Sequence, residues 1–214
     1  MGKSLRVRYY DCFSRFYDKF VELHSGDRTK KLRYDLAEKA CLSTGETALD
    51  ICTGTGSLLK GLQEHVGGEG LIVGLDFSRG MLKKAGQKVS TFPSIALVQA
   101  DAVNLPFKSE VFGAVTCSHA FYELEGDAPA RCLREVVRVL NVGSRFLMME
   151  HDVPKNRLVR ILFYIRIFSM GRNRGLEVLR SENEEFRRHF GRVQKLVLKS
   201  GRTKLIIGER AAQT

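Results

Sequence analysis

No stretch of the 214-residue chain runs uncharged and apolar for the roughly 18 residues that a membrane-spanning helix needs. The first twenty residues, MGKSLRVRYYDCFSRFYDKF, are broken by charges throughout and lack the apolar core of a secretory signal. A cytoplasmic protein is the expectation. Cysteine is sparse and shows no paired spacing: Cys12, Cys41, Cys52, Cys117 and Cys132 include no C-x-x-C. That argues against a disulfide framework or a zinc site, and no metal is expected. Cys52 and Cys117 lie in apolar runs and read as small buried hydrophobes. No internal repeat, low-complexity tract or Pro/Ser-rich linker divides the chain, so one domain spanning residues 1–214 is expected.

What is present is an ordinary globular composition, 43% hydrophobic and 28% charged, long enough for a substantial core. The net charge of +11 is uneven. Residues 1–40 carry ten Lys/Arg against six Asp/Glu, residues 41–154 ten against thirteen, and residues 155–214 fifteen against five. A basic C-terminal segment favours nucleic acid, anionic lipid or an acidic substrate, and charge alone does not choose among them.

Residues 4–24 and 28–42 read as two helices, split by Ser25, Gly26 and Asp27. Strand and helix signals then alternate. TALDIC, LIVGLD, IALVQA, FGAVTCS and RFLMMEH read as strands. SLLKGLQEHV, SRGMLKKAGQKV (with Ser78 as N-cap) and DAPARCLREVVRVL read as helices, the last closed by an NVGS turn. Such alternation implies parallel pairing through right-handed crossovers, an α/β doubly wound, Rossmann-like sheet. The end differs: RVQKLVLK, the turn SGR and TKLIIGER read as a hairpin added antiparallel at the sheet edge.

In such sheets the ligand sits beyond the carboxyl ends of the strands, near strand one. The loop there is CTGTGSL, where Gly54 and Gly56 permit positive φ and close backbone approach. A dinucleotide fingerprint needs a third small residue where this chain has Leu59, and no G-K-[ST] phosphate loop is present. Asp50 ends strand one beside the loop, unfavourable for a pyrophosphate and suited to the ammonium end of a methionine. Asp76 closes strand two, where a carboxylate accepts both ribose hydroxyls. Asp101 follows strand three, placed for an adenine amino group with the backbone of Ala102 alongside. Each acid taken singly also fits a helix N-cap. Three of them at successive strand ends fit a cofactor without phosphate and with a positive sulfonium half, namely S-adenosylmethionine, with S-adenosylhomocysteine as product.

These segments resemble the class I S-adenosylmethionine-dependent methyltransferases, and within them the branch that C-methylates ubiquinone and menaquinone precursors. LDICTGTG, VGLDFSRGML, QADAVNLPF and AVTCSHAF match that branch's successive motifs, and LREVVRVLNVGSRFLMMEHDVPKN its following helix, turn and strand. FSRFYDKF matches its entry motif at Phe13, Tyr17 and Asp18. The resemblance covers about residues 10–170. It implies a seven-stranded fold with a 1–42 helical lid, a 46–152 cofactor core, a 153–190 substrate-side helical segment and a 191–210 terminal hairpin. It further implies cofactor contacts at Thr53, Thr55, Asp76, Phe77, Met81, Asp101, Ala102 and Ser118, with Asp50, Gly54 and Gly56 shaping the loop and Tyr17 lying over it. Two features depart from the branch: Tyr122 and Glu123 stand where it carries an Arg-Asn pair, and the substrate-side segment is shorter.

Methyl transfer is an in-line displacement, so catalysis is largely positioning, with a base needed only where the acceptor must lose a proton. His119 and His151 follow strands four and five at the active edge and are candidate bases, with Tyr122 a further catalytic candidate. Each also reads as a polar loop residue without a catalytic role. Residues 156–170, NRLVRILFYIRIFSM, set Arg157, Arg160 and Arg166 among large apolar side chains. That stretch reads as a packed helix or as a lid at a lipid surface. The expected acceptor is a small molecule or lipid-like, a quinone precursor or a phospholipid amine, with peripheral contact to anionic membrane. A nucleic-acid methyltransferase is the alternative, without the [DN]-P-P-[YFW] motif of amino-methylating enzymes. A non-enzymatic S-adenosylmethionine-binding protein is a third reading, and a nicotinamide oxidoreductase is disfavoured by Leu59 and Asp50.

Overall fold

The computed structural model describes residues 11, 31–124, 126–151, 161, 175–197 and 203–212, with backbone alone for residues 151 and 175–181. Helix α1 (Lys31–Lys39) leads into strand β1 (Thr47–Ile51), helix α2 (Leu59–Val66), strand β2 (Leu71–Asp76), helix α3 (Arg79–Val89) and strand β3 (Ile95–Gln99). Strand β4 (Phe112–Ser118), a single 3-10 turn (Phe121–Glu123), helix α4 (Ala128–Val139) and strand β5 (Leu140–His151) follow. Helix α5 (Gly175–His189) and strands β6 (Arg192–Val197) and β7 (Thr203–Glu209) close the chain.

The seven strands form one sheet in the order β3-β2-β1-β4-β5-β7-β6. The first five pair parallel, while β7 pairs antiparallel with both β5 and β6. The expected fold is present, a doubly wound sheet finished by an antiparallel hairpin. Its strands are continuous apolar runs because helices cover both faces. Alternate residues serve opposite faces. Leu49, Ile51, Val115, Cys117, Phe146 and Met148 join Leu133, Val136 and Phe186 in one core, while Ala48, Ile72, Ala114, Leu147 and Met149 join Leu36, Leu59 and Leu62 in the other.

Ser78 caps α3 as the sequence predicts, accepting the Met81 N–H at 3.2 Å. Two boundaries differ. Helix α1 stops at Lys39 instead of residue 42, and Cys41 takes a positive φ of 52° beyond it. The NVGS segment is no separate turn but part of β5. Pairing runs Phe112↔Leu140 and then Ala114↔Arg145, so the extra residues on β5 bulge out. Gly143, at φ 78°, absorbs the bend, and its N–H donates to the Arg210 carbonyl. The turn-rich composition signalled a backbone irregularity, and strand pairing on both sides kept it inside the sheet. The helix expected over 4–24 and most of the 156–170 stretch lie outside the described residues.

Candidate active site

The winding direction reverses on either side of β1, which is flanked by β2 and β4. In open parallel sheets the ligand crevice lies at this point, beyond the strand ends. The floor of that crevice is the loop following β1, and its backbone is unusual. Cys52, Gly54 and Gly56 all have positive φ, at 53°, 55° and 72°. A Cβ on Gly56 would lie 2.9 Å from the Ala85 Cβ, so the second glycine lets the loop press against α3.

Hydrogen bonds fix this loop from three strands. Thr53 donates its N–H to the Leu75 carbonyl (2.9 Å) and its hydroxyl to Asp50 Oδ2 (2.6 Å). Thr116, from β4, donates its hydroxyl to Asp50 Oδ1 at 2.7 Å. Gly54 N–H donates to Asp76 Oδ2 (2.8 Å), and Ser78 N–H to Asp76 Oδ1 (2.9 Å). Asp50 and Asp76 thus tie β1, β2, β4 and the loop into one unit. Both are almost fully buried, and burial pushes each carboxyl up to about 6 against the hydrogen bonds that favour its charge.

Thr55 is buried, and its hydroxyl accepts from Lys88 Nζ at 2.8 Å, so that side chain faces α3. Met81 is buried under the same edge and Phe77 half-buried beside it. Asp101 follows β3, half-buried, with Oδ1 accepting the Val103 N–H at 3.2 Å, and Ala102 is buried next to it. Ser118 ends β4 opposite Met149. His119 comes next, half-buried, with φ of 54° and its N–H donating to the Met149 carbonyl at 2.8 Å. Such a backbone is uncommon for a non-glycine residue and aims the chain sharply at the end of β4. Tyr122 lies in the 3-10 turn that follows, half-buried. His151 ends β5 opposite Thr203. Tyr17 lies outside the described residues. All the others stand at the carboxyl edge of the parallel strands or at the loops following it.

Four features escaped the sequence reading. Asp11 Oδ1 accepts the Ser78 hydroxyl (2.6 Å) and the Gly80 N–H (2.8 Å), placing a carboxylate on the N-terminus of α3. Lys88 reaches the glycine loop from the other end of that helix. Glu150, inside β5, is fully buried and pushed up to about 8, chiefly by burial and then by Glu182. Lys204 and Glu182 form an ion pair at 2.8 Å, each almost wholly buried. The signal available was a charge inside an otherwise apolar run, in FLMMEH and in TKLII. Among the described residues no group of His, Cys, Asp and Glu gathers as a metal site, and no helix is long and apolar enough to cross a membrane.

The donor set fits S-adenosylmethionine. Two buried carboxylates beside a glycine loop would repel a pyrophosphate and favour a sulfonium and an ammonium. Comparison with known proteins places the chain among methyltransferases. The chain is 33% identical over 150 residues to a demethylmenaquinone methyltransferase of Staphylococcus epidermidis, covering 70% of this chain and 61% of that protein. It is 38% identical over 120 residues to a 2-phytyl-1,4-naphtoquinone methyltransferase of Nostoc punctiforme, covering 55% and 51%. The chain therefore spans about three fifths of the first of these relatives and half of the second. A Haloferax volcanii methyltransferase, solved with the Trm112 methyltransferase activator, superposes with a TM-score of 0.74 at 18% identity over 95% of this chain and 98% of that one, which shows the shared fold. Residues 3–186 match the ubiE/COQ5 methyltransferase family, and the chain belongs to that family.

Proposed function

We infer that the protein transfers a methyl group from S-adenosylmethionine to a ring carbon of a quinol-type, lipid-like acceptor. The observation that carries the reading is the buried Asp50–Thr53–Gly54–Asp76 chain at the β1/β2 edge, inside a family whose relatives bear quinone-methylating names. When bound, the cofactor supplies a methyl group on a sulfonium sulfur. Asp76 accepts the ribose hydroxyls, the Gly54–Gly56 backbone lies against the methionine half, and Asp50 holds Thr53 and Thr116 so that the loop keeps its positive-φ form. Asp101 and the Ala102 backbone take the adenine, with Phe77 and Met81 as its apolar wall. Thr55 contributes through its backbone, since its hydroxyl is engaged by Lys88.

Ser118, at the end of β4, completes the cofactor contacts, and on the acceptor side stand His119 and Tyr122, with His151 at the adjoining strand end. A phenolic ring carbon attacks best once its hydroxyl has lost a proton, so one of the two histidines would take that proton, and the ring carbon would take the methyl, with S-adenosylhomocysteine as leaving group, and then lose its own ring proton. The amphipathic sequence of residues 156–170 and the basic C-terminal composition supply the contact with lipid. The place of work is the cytoplasmic face of a membrane.

The test is incubation with isotopically methyl-labelled S-adenosylmethionine and chemically reduced demethylmenaquinone in detergent. Label in the quinone ring supports the reading. Label appearing instead in RNA or in a phospholipid amine, with none in the quinone, overturns the acceptor.

A further inference from the structure

Glu150 and Lys204 are direct cross-strand partners on β5 and β7, and directly opposed residues present their side chains on one face of a sheet. On that face α5 brings Glu182, whose Oε2 lies 2.8 Å from Lys204 Nζ. Lys204 pairs with Glu182, so the three side chains are together neutral when one proton resides on the two carboxyls, and burial favours its place on Glu150. Glu150 Oε1 accepts the N–H of Phe121 at 2.8 Å, and Tyr122 N–H approaches the same carboxyl. Glu150 Oε2 is buried and has no hydrogen-bond partner among the described residues. Phe121 is buried and meets the Phe186 ring edge-on, 6.4 Å between centroids. The 3-10 turn of residues 121–123, which presents Tyr122 and follows His119, therefore rests on this cluster.

We propose that Glu150 is a positioning residue for the acceptor side, seating the turn that carries Tyr122 beside the cofactor edge in its protonated form and releasing it on ionisation. The proposal rests on the methyl-transfer reading for its role, but not for its test. Among the described residues, the groups acting on Glu150 are Glu182 from α5, Lys204 from β7, Cys117 from β4, and the Phe121 and Tyr122 N–H groups of the turn. Burial and Glu182 disfavour charge on Glu150 and outweigh Lys204 and the turn's N–H groups, which favour it. Ionisation leaves a net negative charge in a dry core. The carboxyl's own hydrogen-bond partners are the N–H groups of the turn, so opening the turn lets water reach it.

Hydrogen–deuterium exchange of the 119–124 backbone, corrected for intrinsic exchange, tests this without any acceptor. In wild type, protection should fall by up to about tenfold per pH unit between pH 5.5 and pH 7.5 and level off above about 8, because the open turn exposes a carboxyl of ordinary acidity. Glu150→Gln, neutral and of the same shape, should keep protection at both pH values and show no such decline. Glu150→Ala should lose protection at both pH values while S-adenosylhomocysteine affinity stays within about threefold of wild type, since the cofactor floor lies on β1 and β2. Where labelled transfer to demethylmenaquinol is measurable, kcat should follow the same order, with Gln rescuing what Ala loses. Identical pH responses in wild type and Glu150→Gln overturn the proposal, even if the alanine variant does not fold. Wild-type enzyme inactive on the quinol, with the exchange pattern as described, overturns the acceptor reading and leaves the positioning role supported.

Discussion

At the scale of single residues, Asp76 is bound to the protein through both oxygens and is also the assigned ribose acceptor. Its two tasks respond to pH in opposite directions. Without ligand its carboxyl is raised from 3.8 to about 6, so the folded protein holds a proton that the unfolded chain has released. Its contribution to stability therefore declines as pH rises between about 4 and 6. A ligand that needs the ionised carboxylate reverses the sign, because binding competes with that proton. S-adenosylhomocysteine affinity should be flat above pH 7 and fall toward tenfold per pH unit below about 6, one proton being released on binding. Calorimetry across pH 5–8 checks this, and an affinity that rises on acidification contradicts it. For the histidines, removing the working base should lower turnover about 10²–10⁴-fold with cofactor affinity unchanged, measured on His119→Ala and His151→Ala. Normal turnover in both shows that no histidine base acts. The strand-end acids were readable from sequence because each closes an apolar run just before a loop. Glu150 was not, because one acid in FLMMEH does not say which face it occupies or what lies opposite.

At the scale of elements, the helix and hairpin that close the chain are organised around Phe186 of α5. Its ring is fully buried, 5.3 Å from Phe146 of β5, 5.4 Å from Phe190 and 6.4 Å from Phe121 by centroids. It joins the C-terminal helix, the fifth strand and the acceptor-side turn. Phe186→Ala should cost about 3–5 kcal/mol, the usual range for deleting a buried aromatic ring. Denaturant unfolding measures it, and a cost below about 1 kcal/mol would show that α5 is not part of the core. The hairpin itself was legible, since RVQKLVLK and TKLIIGER flank an SGR turn. The place of β7 between β5 and β6 was not, because nothing local in a strand names its partner. The NVGS bulge was misjudged for a related reason: turn residues report a bend, and only the neighbouring strands decide whether pairing resumes beyond it.

At the scale of the whole molecule, the charge of +11 is concentrated in the last sixty residues, near the segment assigned to the membrane side. Each basic residue close to an anionic leaflet contributes about 1 kcal/mol, and salt weakens that attraction. Co-sedimentation should show reversible binding to anionic vesicles, stronger than to zwitterionic ones and reduced by salt. Phe163→Ser with Phe168→Ser should weaken it and spare cofactor affinity. Binding that ignores lipid charge contradicts this surface. The central claim is narrower and lies at the β1/β2 edge: this crevice holds S-adenosylmethionine, not a dinucleotide. Calorimetric titration of the full chain with S-adenosylhomocysteine and, separately, NADH tests it most directly. The account predicts saturable binding of the first, weakened by about 1.5–3 kcal/mol in Asp76→Ala as a charge-assisted hydrogen bond is lost, and none of the second. Saturable NADH binding with no heat from S-adenosylhomocysteine would contradict it.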